Sequence, residues 1–217
     1  MQFVELMEAI SAELAENLPG ADAHQLMAPF KRPTAKAIRE KSVNARLSAT
    51  LMLMYPQSDE TFFTLIQRPD YDGTHGGQVS FPGGRHEEGE SIMETALRET
   101  HEEVGVPSTE VNLLGSMTEV YIPPSNFLVQ PYVGYCGNKP IFVPDTREVD
   151  HIMEIRLKDI LRDDIILEMK KTIGERSGNP MKISIPYFEL NHKVVWGATA
   201  VMLAEMRQLL FNIGLKP

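Results

Sequence analysis

The chain has 217 residues, of which 42% are hydrophobic and 24% charged, as expected for a globular domain with at most a small extension. Its formal net charge of −9 argues against sequence-independent nucleic-acid binding, which requires a basic surface. The single cysteine, Cys136, excludes a disulfide framework and favours a reducing, cytoplasmic compartment, and no run approaches the roughly 18 apolar residues that span a bilayer.

The first 44 residues are predicted to form a helical extension ahead of a main domain at 45–217. Apolar residues within 2–18 recur at helical spacing and predict one amphipathic helix. Residues 21–44 are polar and contain Pro29 and Pro33, so we expect an irregular arm with about one helical turn. The preferred interpretation of this arm is a surface cover, with a dimerisation segment, and hence a homodimer, as the alternative.

The main domain is predicted to alternate strands with two long helices. Strands are expected at 45–55, ended by Pro56, then at 61–67 after a turn at 57–60, and at 78–81. Beyond a central helix, we expect strands near 111–120, 127–136, 141–143 and 149–156, and a short helix near 157–162. A hairpin of 165–173 with 181–189, turned by Gly178–Asn179–Pro180, precedes a last helix from about Gly197 to Asn212. This order predicts an α/β fold in which helical layers sandwich a sheet.

The central helix is predicted to begin at a capping box and to end at a glycine. Ser91 and Glu94 have the spacing that satisfies the free amides of a first helical turn. Gly105 stands where helices end in the left-handed conformation. Met93, Leu97, Thr100 and Val104 are expected to form the face toward the core.

Three glutamates of this helix, Glu99, Glu102 and Glu103, share one face, with Arg98 at its border. One interpretation is a solvated acidic surface, the usual fate of such a helix face. The other is a site for a hard divalent cation, since Mg²⁺ and similar ions prefer carboxylate oxygens and would relieve the repulsion between the glutamates.

The residues before the helix favour the second interpretation. Residues 84–106 fit the pattern G-x5-E-x7-R-E-U-x-E-E-x-G-U, with only Thr100 standing where a large aliphatic residue is usual. In this pattern the chain resembles the Nudix hydrolases. The resemblance implies an α/β/α sandwich with a mixed sheet, and hydrolysis of nucleoside diphosphate derivatives by water. The matching positions are Gly84, Glu90, Arg98, Glu99, Glu102, Glu103, Gly105 and Val106.

The resemblance also implies the roles of these residues. Mg²⁺ or Mn²⁺ would be held by Glu99, Glu102 and Glu103, while Arg98 would orient a glutamate. Which glutamate acts as general base is left open. The other class of function is a nucleotide-binding module without hydrolysis, in which the acidic set is commonly eroded; here all the acids are present.

The residues leading into the pattern indicate a substrate. Residues 68–84 resemble the second signature of the coenzyme A pyrophosphatase branch, apart from Gly73, which replaces a second arginine. The resemblance implies cleavage of coenzyme A or acyl-CoA into 3′,5′-ADP and (acyl-)4′-phosphopantetheine. ADP-ribose or another nucleotide pyrophosphate is the alternative substrate. The matching positions are Leu65, Arg68, Gly77, Phe81, Pro82, Gly83 and Gly84.

Substrate contacts are expected from this stretch and from one later loop. Each candidate also has a plainer interpretation: Arg68 as a surface residue, His75 as a local hydrogen-bonding group, and Ser125 and Asn126 as parts of a turn. Glu148 is either an outlying acid of the site or a solvated strand residue. The substrate-binding candidates are Arg68, His75, Gly83, Gly84, Ser125 and Asn126.

Overall fold

The computed structural model describes residues 2–30, 33–40, 44–70, 76–173 and 180–217. Its helices are α1 (Phe3–Glu16), α2 (Gly20–Leu26), α3 (Ala35–Glu40), α4 (Ile92–Val104) and α5 (Gly197–Asn212). Its strands are β1 (Arg46–Gln57), β2 (Glu60–Gln67), β3 (Val79–Ser80), β4 (Gly83–Arg85), β5 (Asn112–Ser116), β6 (Val120–Ile122), β7 (Phe127–Tyr135), β8 (His151–Arg156), β9 (Ile166–Ile173), β10 (Met181–Leu190) and β11 (Lys193–Val195).

Within the described residues, eight strands form one mixed sheet. Its central pair, β1 and β7, is parallel from Arg46↔Phe127 to Met54↔Tyr135, and every other pair is antiparallel. The main path runs β3-β2-β1-β7-β5, while β4 also pairs with β1, β6 with β7 and β8 with β2. The last strands, β9 to β11, form a separate antiparallel sheet.

The sheet buries both of its faces, because successive side chains of a strand point to opposite sides. On β1, Leu51 and Leu53 pack toward α4, whereas Met52 and Met54 pack toward α1 and α5. This arrangement explains why β1 is an unbroken apolar run, and it confirms the predicted sandwich of helices around a mixed sheet.

Pro56 does not end the first strand, contrary to the sequence prediction. It lies within β1, paired with Thr61 next to a turn at Ser58 and Asp59, both of which have positive φ. In a two-residue hairpin, the pair beyond the closing pair is not hydrogen-bonded across the strands. The missing N–H of the proline therefore costs nothing at this position.

Several other element predictions were wrong in detail. The arm at 21–44 contains two helices, α2 and α3, and the predicted strand at 111–120 is divided into β5 and β6. No strand forms at 141–143, where Val143 instead donates its N–H to the carbonyl of Val104 and covers Gly105. The strands β4 and β11 were not predicted, and Gly178 and Asn179 of the expected turn lie outside the described residues.

A buried carboxylate joins the N-terminal segment to the last helix. Glu205 of α5 is 0% exposed and accepts hydrogen bonds from the N–H of Gly20 (3.1 Å), from the hydroxyl of Thr118 (2.6 Å) and from the N–H of Thr118 (3.2 Å). It also lies 2.8 Å from Nε2 of His24. Because a buried charge without partners is costly, this set of bonds fixes α2 against α5. Whether 1–44 and 45–217 are separate domains stays a prediction.

Replacing Glu205 by glutamine is expected to destabilise the fold by about 2–3 kcal/mol at pH 7, because charge-assisted hydrogen bonds are lost. Burial raises the pKa of Glu205, but the bonds from His24 and Thr118 outweigh burial and leave the pKa lowered. A carboxyl with a lowered folded-state pKa stabilises the protein above its unfolded pKa, and this contribution is lost as pH falls. Urea unfolding of wild type and Glu205→Gln should therefore show a gap at pH 7 that narrows below about pH 4.5. Equal midpoints at pH 7, matching those of the exposed control Glu8→Gln, would contradict this role.

Candidate active site

The site is built where α4 lies against the glycine pair of β4. Gly83 has φ of 155°, and a Cβ added there would lie 2.3 Å from the carbonyl oxygen of Ala49. A Cβ on Gly84 would lie 2.4 Å from the carboxyl carbon of Glu99. Gly84 thus lets the carboxylate of Glu99 reach the backbone of β4, and Gly83 lets β4 lie directly against β1.

The helix itself forms as the sequence predicts. Ser91 accepts a hydrogen bond from the N–H of Glu94, and Glu94 accepts one from the N–H of Ser91, completing the capping box. Gly105 ends the helix with φ 78° and ψ 10°, the left-handed conformation. The site therefore stands on a helix with both ends satisfied.

Arg98 organises the outer acids of the site. Its Nε and Nη2 donate to the two oxygens of Glu90 at 2.9 and 3.0 Å, a bidentate pair. Its Nη1 donates to both Glu99 and Glu102 at 2.9 Å, and its Nη2 also reaches the carbonyl of Arg85 at 3.1 Å. The hydrogen bonds from Arg98 lower the pKa of Glu90 to about 2, so Glu90 is a permanently charged support for the arginine.

Glu103 is the buried acid of the site, only 1% exposed. It accepts the N–H of Gly83 at 2.7 Å and a bond from Nη1 of Arg68 at 3.2 Å. Burial, opposed by these bonds and reinforced by the nearby charges of Glu99 and Glu148, raises its pKa to about 7. Burial likewise raises the pKa of Glu99.

The helix is rotated relative to the sequence prediction. Met93, expected on the core face, is 42% exposed, whereas Glu103, expected on an acidic face opposite the core, is buried. Thr100 is also buried and donates its hydroxyl to the carbonyl of Ala96 at 2.7 Å, so the polar residue at this core position is satisfied. Glu103 is buried among contacts with β4 and Arg68, which the helical pattern does not show.

The charges of the site suit a cation. Arg98 and Arg68 are the cations of a network that holds five carboxylates, which leaves an excess of three negative charges when all are ionised. The same arginines form ion pairs with the glutamates. Among the described residues, no three His, Cys, Asp or Glu side chains are already arranged as a metal-binding group. The donor set therefore fits a hard divalent ion in chemistry and charge, and binding requires the glutamates to exchange contacts with Arg98 and Arg68. The five carboxylates belong to Glu90, Glu99, Glu102, Glu103 and Glu148.

The acids open into a cleft of about 760 Å³. At one end it is lined by Arg98, Glu99 and Glu102, with Arg68 and Glu148 beside them. Its floor crosses the sheet through Ser48 and Thr50 of β1, and its far end is apolar. The far end is lined by Met27, Ile122, Phe127, Val129, Ile185, Trp196 and Met202.

Of the other candidates from the sequence, some line the cleft and others lie away from it. Arg68 lines the cleft, held there by a backbone bond from its N–H to the carbonyl of Gln78. Asn126 donates its side-chain amide to the carbonyl of Asn44 and accepts the hydroxyl of Tyr121, and neither it nor Ser125 lines the cleft. His75 and Gly73 lie outside the described residues.

Sequence reasoning missed many of the residues that line the cleft, among them three from distant segments. Met27 comes from the N-terminal segment, Lys171 from β9, and Met202 from α5. The ammonium of Lys171 lies 4.2 Å from the ring centre of Trp196. No local pattern marks these residues, because only the packing of three distant segments brings them together.

The profile of the NUDIX domain matches residues 45–173. The chain belongs to the Nudix family. NudL of Yersinia enterocolitica is 31% identical over 168 residues, which are 77% of this chain and 83% of that protein. Nudix hydrolase 3 of Caenorhabditis elegans is 28% identical over 193 residues, 81% of this chain and 77% of that protein. The crystal structure of the Nudix hydrolase RenU from M. smegmatis shares the fold, with a TM-score of 0.54 over 80% of this chain and 90% of that chain at 16% identity.

This membership identifies the chain as a hydrolase that acts on pyrophosphate bonds. Nudix hydrolases generally use divalent metal ions such as Mg²⁺, in keeping with the excess negative charge around Arg98. In the part of the chain that the structure describes, no helix has the length and apolar content needed to cross a bilayer.

The substitution Gly84→Ala is expected to lower the hydrolysis rate by about a hundredfold, because the new methyl group displaces the Glu99 carboxylate by more than an ångström. The fold should persist, since the clash is with the end of a flexible side chain. Steady-state hydrolysis and the melting temperature measure the two effects. Gly137→Ala is the matched control, because a Cβ at Gly137 meets no atom within 4 Å. Wild-type rates in both variants would refute the role of the glycine.

Proposed function

We propose that the protein hydrolyses a nucleoside diphosphate derivative with Mg²⁺ or Mn²⁺, and that the substrate is coenzyme A or an acyl-CoA. The observation that carries the proposal is the contact of Glu99 and Glu103 with the glycine pair of β4. This contact holds the acids of α4 against β4, beside a cleft large enough for a nucleotide, and so supports the proposal. The products would be 3′,5′-ADP and (acyl-)4′-phosphopantetheine.

The roles of the acidic residues follow from their contacts. Glu99, Glu102 and Glu103 would hold the divalent ion, which when bound supplies charge neutralisation at the pyrophosphate and activates water. Arg98 orients Glu99 and Glu102 through a single nitrogen. Glu90 anchors Arg98 from the other side, so the arginine keeps its place when the glutamates turn toward an ion.

Arg68 is the proposed phosphate contact. Its guanidinium lies 3.2 Å from Glu103 and 3.8 Å from Glu148, and its Nε has no partner among the described residues. A guanidinium that lines the cleft beside the acids is suited to bind a phosphate oxygen when it exchanges its contacts with Glu103 and Glu148. Gly83 and Gly84 let the substrate approach the backbone.

The coenzyme A assignment rests on the stretch before the site. Phe81, Pro82 and the glycine pair match the second signature of the coenzyme A pyrophosphatase branch, and they lead the chain from β3 into β4. Phe81 is 2% exposed and packs near Phe63, with 6.2 Å between ring centroids, while the carbonyl of Pro82 accepts the N–H of Leu51. These packed residues of the signature thus also hold β4 in position beside the site. The proposal also includes a cytoplasmic location, which the free and buried Cys136 supports. It further includes assembly of the protein as a homodimer.

The variants Glu102→Gln and Glu103→Gln are expected to lower metal-dependent hydrolysis by about two orders of magnitude or more, because each removes a charged oxygen ligand. Millimolar Mg²⁺ should raise the melting temperature of the wild type by about 2–4 °C per kcal/mol of binding energy, and this shift should shrink in both variants. Glu88→Gln, an exposed glutamate of the preceding loop, is the control. Unchanged turnover and unchanged Mg²⁺ shifts in both variants would refute the ligand assignment.

A substrate panel tests the proposed substrate. Coenzyme A, acetyl-CoA, ADP-ribose, NADH and diadenosine polyphosphates are incubated with Mg²⁺ or Mn²⁺, and products are identified by mass. We expect the coenzyme A compounds to give the highest kcat/KM. Faster cleavage of ADP-ribose or another nucleotide pyrophosphate would refute the substrate, and calorimetric binding without cleavage would indicate a non-catalytic module.

A further inference from the structure

The apolar end of the cleft lies across the sheet from the acids. The register Arg85↔Ser48↔Val129↔Val120 runs from β4 through β1 and β7 to β6. Adjacent strands are about 4.8 Å apart, so β6, which carries Ile122, lies roughly 14 Å from β4. A chain bound against β6 is therefore remote from the acids beside β4.

The N-terminal segment closes this end of the cleft. Met27, 2% exposed, follows α2 and lines the cleft together with Met202 of α5, which is 3% exposed. The hydroxyl of Thr50 on the floor lies 3.8 Å from the sulfur of Met202. A residue outside the matched NUDIX domain at 45–173 thus forms part of the cleft.

The buried Glu205 determines where this wall stands. His24, which contacts Glu205 at 2.8 Å, lies three residues before Met27, and Met202 lies three residues before Glu205. The hydrogen-bonded pair and the methionine pair are therefore about one helical turn apart on each segment. The bonds that attach α2 to α5 also fix the separation of the two methionines.

The surface of this end favours an aliphatic chain over a flat base. One face of Trp196 is covered by the ammonium of Lys171, and one face of Phe127 by the guanidinium of Arg46, each cation lying 4.2 Å from the ring centre. The remaining side chains are aliphatic or thioether groups, and methionine adapts readily to flexible apolar ligands. They are Met27, Ile122, Val129, Ile185 and Met202.

We infer that Met27 is a specificity-determining residue: with Met202, it forms a wall that binds an apolar chain attached to the substrate remote from the pyrophosphate. Glu205 is a positioning residue that acts through Met27. This inference rests on the proposed function, in which such a chain is the acyl group of an acyl-CoA. Because the chain is remote from the reacting atoms, it contributes equally to ground-state and transition-state binding, and its length changes KM rather than kcat.

The test is hydrolysis of acetyl-, butyryl- and octanoyl-CoA by wild type and variants with Mg²⁺. In the wild type, KM should fall by about tenfold or more from the acetyl to the octanoyl compound, while kcat changes little. Met27→Gln should flatten this dependence. Met27→Leu, which conserves volume and apolar character, should retain it. Leu26→Gln is the matched control, because Leu26 is the preceding residue, is 64% exposed and does not line the cleft.

The outcomes separate the inference from the function on which it rests. Hydrolysis of every coenzyme A compound with a KM independent of chain length would overturn the inference and leave the proposed function standing. Hydrolysis of ADP-ribose but of no coenzyme A compound would overturn both. If the melting temperature shows that Met27→Gln does not fold, Ile122→Gln on the opposite side of the cleft is measured instead. An undiminished chain-length dependence in a folded Met27→Gln or Ile122→Gln would also overturn the inference.

Discussion

The site depends on the contact between a buried carboxylate and the backbone of a glycine. Glu103 accepts the N–H of Gly83 at 2.7 Å, and this bond joins α4 to β4 at the point where the cleft begins. The same strand lacks a side chain at Gly84, where a Cβ would lie against the carboxylate of Glu99, so the helix can approach β4 closely. Burial makes the charge of Glu103 costly, and the bonds from Gly83 and Arg68 offset part of this cost. The result is an acid that is fixed in position.

The same site contains more negative charge than its arginines balance. Arg98 is shared among Glu90, Glu99 and Glu102, and Arg68 lies between Glu103 and Glu148. Such a network resists further anions and suits a divalent cation, which when bound would supply charge neutralisation at a phosphate. This excess of charge reduces the stability of the protein as long as no cation balances it. The apolar part of the cleft has no such acidic cluster, and the charges beside its rings belong to Arg46 and Lys171.

Much of this organisation was predictable because the relevant signals are local. The capping box at Ser91, the left-handed Gly105 and the span of α5 were confirmed, since each depends on residues within one or two turns. The prediction at Pro56 was wrong because a strand accepts proline only at certain positions of the hairpin register. The prediction of a strand at 141–143 was wrong because Val143 donates its N–H to Val104 of α4 rather than to a neighbouring strand. Met93 was expected to be buried but is exposed, and Glu103 was expected to be exposed but is buried. A helical pattern shows which residues share a face but not the direction in which that face points.

The sequence by itself determined the acidic set of α4, the glycine pair that faces it, and hence the family and the class of reaction. These features depend on fixed spacing along one continuous stretch, which the sequence shows directly. The tertiary structure alone decided that Glu103 is the buried acid, that Asn126 serves a turn, and that Met27 lines the cleft beside Met202. Those outcomes depend on contacts between segments as much as 181 residues apart, such as His24 with Glu205. Spacing along the chain carries no signal for such pairs, because packing and the satisfaction of buried charge select them.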